Sequence, residues 1–331
     1  MNNTFSRRDI LAASAGLGAS LLVSPTASVH AQTVQKSVRF VIGLPPGSSI
    51  DVAARFLIDR MKGYASTIIV EHKPGASYRI AVEAVKQSTA DGSTVLLSPA
   101  GPLVLLPHIQ KSVGYKTLED FIPITTVYQT PSALAVGPLV AANVKTVADF
   151  VAWCRANPGK SNYGTPGAGT PMHFLGTMLA KAAGFEFTHV PYQGPTPAVN
   201  DVLAGQIASV ITSIPNLISL VEPGKFRILA TTGSTRSASL PNVPTMIEAG
   251  YPALEFSEWM GLFLPAKTPM EIANALNASV REALKSEELK AGLTKLALEP
   301  SGLSIAEFAQ RVRADAERWE PIVKASGFVP V

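Results

Sequence analysis

The chain has 331 residues, of which 47% are apolar and 16% charged; this is long enough for about two domains and too apolar for a disordered tail. Lys and Arg number 28 against 24 Asp and Glu, a formal charge of +4 spread thinly, so no basic patch marks a nucleic-acid surface. The single cysteine, Cys154, excludes an internal disulfide and falls in a helical pattern as a small buried hydrophobe.

The first residues read as an export signal. Arg7 and Arg8 precede an apolar run from Ile10 to Val23, and Val29-His30-Ala31 supplies a small-x-small cleavage pattern with the cut after Ala31. The run is shorter than the about 20 residues that a bilayer span needs. The paired arginines leave the route open between twin-arginine and general export. The mature chain is expected in the periplasm.

Beyond residue 35, short β-branched runs alternate with helical patterns, the mark of a parallel sheet covered by helices. Strands are expected at 38–42, 67–71 and 94–98, with helices at 51–62 and 80–88 between them. A long extended stretch follows at 121–137. Thr146 and Asp149 then form a capping box that opens a helix at 146–156. A second unit continues with strands at 161–164, 187–191, 208–212 and 227–232 and helices at 171–183 and 197–204. Residues 255–265 are again extended and apolar. Thr268 caps a further helix, with Pro269 at its first position and Glu271 closing the box, and Ser304 with Glu307 repeats that logic before the last helix. These C-terminal helices have no sheet of their own, so they are expected to cover the first one. The expected architecture is α/β with two lobes, each a mainly parallel sheet with helices, joined by two extended crossovers. Residues 32–127 and 258–331 form lobe 1, and 128–257 form lobe 2.

Ligands of parallel sheets sit beyond the carboxyl ends of the strands, where helix N-termini gather. Three loops there stand out. In the first, Gly47, Ser48 and Ser49 lead into a helix, and small residues let backbone amides face an anion. Ser48 and Asp51 also satisfy a capping box, so a plain helix start is the alternative. A carboxylate at Asp51 repels an anion, so it is expected to fix the loop, accept from ligand hydroxyl or amine groups, or hold water. The second loop runs from His72 to Arg79 through Ala76 and Ser77. There Tyr78 offers an aromatic face and Arg79 a two-pronged donor for a carboxylate, the alternative being an arginine on the outer face of its helix. The third runs from Tyr163 to His173, with Thr170 as cap, Pro171 next, and Gly167 and Gly169 for close backbone approach.

Other chemistries lack their motifs. Gly167 and Gly169 are followed three residues later by Met172, so the dinucleotide fingerprint is incomplete, and there is no phosphate loop. No G-x-S-x-G elbow exists, and spacing gives no support to a triad of Ser48, His173 and Asp51. The histidines (His30, His72, His108, His173 and His189) form no zinc-type cluster. No catalytic residue, metal or cofactor is therefore expected. Trp153, Trp259 and Trp319 read as core or hinge packing.

In this order the loops resemble the solute-binding proteins of tripartite tricarboxylate transporters, the Bug or TctC-like family. The resemblance covers nearly all of 36–331. Its marks are residues 41–51, 72–75, 91–98, 163–173, 189–194, 201–206, 240–252 and 259–265. It implies a type II-like periplasmic binding protein whose lobes close over a carboxylated metabolite held by backbone amides, small side chains and water. It also implies delivery to membrane permease subunits of such a transporter, with the binding protein itself monomeric. Carried over residue by residue, the binding positions are Gly47, Ser48, Ser49 and Asp51; Ala76, Ser77, Tyr78 and Arg79; Ser98 and Ala100; and Thr165, Ala168, Gly169, Thr170, His173, Tyr192 and Thr212. Departures fall on these loops. A family Gly-Gly-Thr is Ser48-Ser49-Ile50, a Gly-Gly-Asn is Ser77-Tyr78-Arg79, and acidic or polar positions are Ala208 and Thr212. Bulk and positive charge are thus added to one wall.

Two helix N-termini supply at most about 4 kcal/mol, or about millimolar affinity. Micromolar capture needs about 8 kcal/mol, hence a few charge-assisted hydrogen bonds. Arg79 is the expected source of one, with Tyr78 against an apolar or aromatic ligand body. A ligand sensor docking on a membrane receptor and a periplasmic hydrolase using the same cleft are the rival readings.

Overall fold

Strands arise here where β-branched and apolar runs are long enough to be covered on both faces, and helices where a cap precedes an amphipathic stretch. A computed structural model describes residues 35–218 and 226–329, so the export segment expected at 1–31 lies outside the described residues. The first part holds β1 (Val38–Ile42), α1 (Ser49–Ile58), β2 (Ile68–His72), α2 (Arg79–Lys86) and β3 (Thr94–Pro99), followed by short helices α3 (Ala100–Val104), α4 (Leu106–Ile109) and α5 (Thr117–Asp120). β4 (Phe121–Val136) is the long strand. It leads to α6 (Val147–Ala156), β5 (Asn162–Thr165), α7 (Pro171–Ala183), β6 (Thr188–Pro191), α8 (Pro195–Leu203), β7 (Ser209–Ser213), α9 (Ile214–Ile218) and β8 (Arg227–Thr231). The chain returns through β9 (Ser257–Pro265) to α10 (Met270–Ala283), α11 (Glu287–Lys295), β10 (Glu299–Pro300) and α12 (Ile305–Ser326).

The strand order is β2-β1-β3-β9-β4-β7-β5-β6, with β8 and β10 also on β4. β1 is parallel to β2 and β3, and β5 to β6 and β7. The central strands are antiparallel: β9 lies against β3 and β4, and β4 against β7 and β8. β4 serves two groups of strands. Residues Phe121 to Pro131 pair with β9, and Ser132 to Val136 with β7. The handover falls at Pro131, whose ring removes a ladder donor. Covered on both faces, β4 is nearly all buried, which is why its sequence reads as a continuous run rather than an alternation.

The second crossing is fastened to the first by one hydroxyl. Thr232, at 1% exposure, accepts from the Ser132 amide at 2.9 Å and donates to the Phe256 carbonyl. Its own backbone links the same residues, donating to Ser132 and accepting from Phe256.

α10 and α12 pack on β4, as expected of helices without a sheet of their own, but α12 also reaches α7. Its Trp319 is fully buried between Phe174 of α7 and Phe256. The capping boxes at Thr146 and Ser304 form with both halves present, and Cys154 is buried in α6. One reading needs correction. Thr268 does not cap α10: Pro269 stands at the cap, the helix begins at Met270, and the buried Thr268 hydroxyl has no partner. Thr268 stands one residue before the cap, although Thr170 ahead of Pro171, the same local pattern, does cap α7. The stretch after β3 carries α3 and α4 despite Pro102 and Pro107, each tolerated in the first turn of its helix.

Candidate functional site

The loop from β1 to α1 turns at Gly47, φ 81°, and Ser48 caps α1 by accepting the Asp51 amide at 3.4 Å. The expected capping box is only half formed. Asp51 bends back past Ser48 to take the Gly47 amide at 3.0 Å, His72 Nε2 at 3.0 Å and Arg55 Nε at 3.2 Å. Burial alone raises its pKa, yet those hydrogen bonds hold the carboxyl below the ordinary carboxylate value. With its oxygens committed to three partners, Asp51 fixes the loop from β1 to that after β2.

The loop after β2 is strained. Ala76, Ser77 and Tyr78 have φ of 47°, 53° and 79°, a run of left-handed residues without a glycine. Each costs about 1–2 kcal/mol relative to right-handed backbone. Tyr78 anchors the run: its ring slides over Gly43, where a Cβ would lie 2.4 Å from the ring, and its hydroxyl donates to the Leu97 carbonyl at 3.0 Å. Arg79, the expected ligand donor, stands 3.7 Å from Glu83 one turn along α2, and its buried Nε has no hydrogen-bond partner.

In the loop after β5, Thr170 accepts the His173 amide at 3.3 Å and donates to the Gly167 carbonyl at 2.8 Å. Gly169, φ 71°, gives its amide to His173 Nδ1 at 3.2 Å, so that ring nitrogen carries no proton. His173 stacks on His189 at 3.9 Å between ring centres, and His189 Nε2 meets the Thr165 hydroxyl at 2.7 Å. Burial and the neighbouring His173 push His189 down to about 4, so the imidazole is neutral at physiological pH. Tyr192 donates to Asp201 at 2.7 Å, Thr212 accepts from Asn216 at 3.1 Å, and Ser98 donates to the Pro99 carbonyl. Ala100 is buried at the start of α3.

Between the β2–α2 loop, helices α3 and α4, and the β5–α7 loop lies a cleft of about 270 Å3. It gathers five of the expected residues: Ser77, Tyr78, Ala168, Gly169 and Thr170. Gly47, Ser48, Ser49, Asp51, Ala76, Arg79, Ser98, Ala100, Thr165, His173, Tyr192 and Thr212 do not line it. Several of these shape the loops from behind. The opposite wall is one that sequence reasoning missed: Pro102, Leu105, Leu106 and Ile109 make it apolar, and Gly101 and Pro171 complete it. Gly169 is favoured here by its left-handed φ, and a Cβ would stand 2.9 Å from the end of the Ile109 side chain across the cleft.

Glu258, at the start of β9, is the last lining residue. Burial pushes its carboxyl up to about 7, against the pull of the Gly101 amide. The signal for it was weak, one of two acids, with Glu255, in the apolar extended segment 255–265. Among the described residues no cluster of His, Cys, Asp or Glu is arranged to hold a metal. No described helix is long and apolar enough to cross a membrane.

Comparison with known proteins places this geometry in context. Residues 53–328 match the family model described as the tripartite tricarboxylate transporter family receptor. The protein BugT of Bordetella pertussis is 30% identical over 294 residues, spanning 88% of this chain and 90% of its own. Among solved structures, R. palustris Rpa4515 with adipate superposes with a TM-score of 0.77 at 29% identity, covering 89% of this chain and 99% of that one. MatC from Rhodopseudomonas palustris with bound malate gives 0.71 at 26% identity, over 87% of this chain and 99% of its own.

Proposed function

The chain belongs to the tripartite tricarboxylate transporter receptor family, and from that premise we propose that it captures a small organic acid in the cleft and passes it unaltered to membrane permease subunits. The observation that supports this most is the cleft itself. Loops after β2 and β5 reach it from the two groups of strands that β4 joins, each bringing a helix start and small polar side chains. Its size is close to the ~300 Å3 lower end of ligand clefts.

The two strand groups are the proposed lobes, 32–127 with 258–331 and 128–257, closing on the ligand about the crossings tied by Thr232. Capture takes place in the periplasm, after residues 1–31 are removed at Ala31. Adipate and malate in the two relatives point to a dicarboxylate. The wall of Pro102, Leu105, Leu106 and Ile109 favours a ligand with an alkyl or aromatic body over a short hydroxylated one. The Ser77 hydroxyl and the amides of Ala168 and Thr170 are the proposed polar contacts.

A calorimetric screen of mono-, di- and tricarboxylates tests the reading. An acid with an apolar body of about four to eight carbons is expected to bind at micromolar affinity, about 8 kcal/mol, and to be recovered chemically unchanged. Silence across the whole panel, or turnover of the bound acid, contradicts it.

A further inference from the structure

Capture of an anion leaves one side chain in the cleft unexplained. Glu258 alone among the lining residues carries an ordinarily ionised group, and no Lys, Arg or His lines the cleft with it. A Cβ on Gly101 would stand 3.9 Å from its Oε1, and the Gly101 amide is close enough to favour the ionised form. The Tyr78 hydroxyl and the Tyr128 hydroxyl on β4 are near enough to feel its charge, and that of Tyr78 is already given to Leu97.

Cations on the surrounding elements do not line the cleft. On α12, Arg311 and Asp315 pair with each other and reach the Ser257 carbonyl and the Trp259 indole, the neighbours of Glu258 that alternate to the other face of β9. Arg79 on α2 lies beside Glu83, and His108 on α4 lies near Glu320. His173 on α7 takes the Gly169 amide. An ionised Glu258 would therefore meet an incoming carboxylate as an uncompensated like charge. Protonated, the same group is a donor, and an acid-to-carboxylate hydrogen bond is short and charge-assisted.

We propose that Glu258 takes up a proton from solvent as the organic acid binds and donates it in a hydrogen bond to a ligand carboxylate, so that the cleft captures acid and proton together. The proton stays on Glu258 while the acid is held, and no covalent bond of the ligand changes. This deepens, and rests on, the reading of the cleft as a carboxylate site. A carboxyl pushed by burial up to about 7 is poised for such uptake near neutral pH, whereas burial holds His173 below its ordinary value, at the acid side of that window.

The test takes, from a panel of C4 to C8 alkyl, dicarboxylic and aromatic acids, the one with the largest thermal shift at pH 6.0. These acids stay ionised above about pH 6, so the ligand's charge is nearly constant across the window. It is titrated calorimetrically at pH 6.0 and 8.5 into the wild-type protein and into Glu258→Gln, whose amide keeps a donor and cannot ionise. Wild-type affinity is expected to fall roughly 30-fold from pH 6.0 to 8.5, with close to one proton taken up per ligand at pH 8.5 in buffers of different ionisation enthalpy. Glu258→Gln is expected to show neither effect, its two affinities agreeing within about threefold. The proton count on the wild-type protein decides the matter even where the variant fails to fold. Equal wild-type affinities with no proton uptake, or a wild-type pH profile retained by Glu258→Gln, overturn the inference and leave carboxylate capture standing. Failure of every acid to bind at either pH overturns carboxylate capture, and the inference with it.

Discussion

Tyr78 shows how a single side chain holds a loop that its own backbone resists. The left-handed run at Ala76, Ser77 and Tyr78 costs a few kcal/mol in total, at about 1–2 kcal/mol per residue. Burying the Tyr78 ring returns about 1.5–3 kcal/mol, and its hydrogen bond to Leu97 adds about 0.5–1.5 kcal/mol. The two sides nearly balance, so the loop depends on that ring staying seated over Gly43. A methyl group at Gly43 would stand 2.4 Å from the ring, against the strand behind it. Gly43→Ala is accordingly expected to destabilise the protein by about 1–3 kcal/mol in denaturant titration, and to weaken acid binding by displacing Ser77. A variant with wild-type stability and affinity would show that the ring does not hold the loop. The sequence reading gave Tyr78 and Arg79 to the ligand directly. Tyr78 does line the cleft, but Gly43 and the Leu97 carbonyl, which also hold it, are remote in sequence and carry no local motif. Glu258 was harder still: its meaning comes from Gly101 and the apolar wall, remote in sequence and adjacent only after β9 pairs with β3.

Among the elements, β4 carries the greatest structural load, since it belongs to both groups of strands and changes partner at Pro131. Its crossing and the return before β9 share the Thr232 hydroxyl. Thr232→Val keeps the shape of the side chain but takes away the acceptor for the Ser132 amide and the donor for the Phe256 carbonyl. A loss of about 1–3 kcal/mol in unfolding free energy is expected, the cost of leaving buried polar groups unpaired. A melting curve superposable on wild type would mean that the backbone bonds of Thr232 to Ser132 and Phe256 suffice. Elements of this kind were largely legible. The length of β4 showed as a long extended stretch without a helical pattern, and Thr146, Thr170 and Ser304 marked helix starts through side chains that bond within three residues. Errors arose where a local rule was ambiguous. Thr268-Pro269 shows the same local pattern as Thr170-Pro171 yet does not cap its helix, and α3 and α4 are too short for a periodic pattern and contain prolines besides.

At the scale of the molecule, the cleft is bounded by loops from both strand groups, while α12 packs against α3 on one side and α7 on the other. Trp319 fills the space between Phe174 and Phe256, and Phe328 follows the helix onto His173 and Phe174. Closure of the proposed lobes must therefore rearrange or pivot on this aromatic cluster. The two-lobed α/β plan was legible because each loop carries its own turn and cap residues. The chemistry of the cleft was less so, because one wall is built from apolar residues that carry no motif. The direct measurement is a crystal structure grown with the acid selected by calorimetry. Density for that acid is expected between Ser77, Thr170 and Glu258, with its carbon body on Leu105 and Leu106. An empty cleft in such crystals, with the acid seated elsewhere on the molecule, would contradict the account.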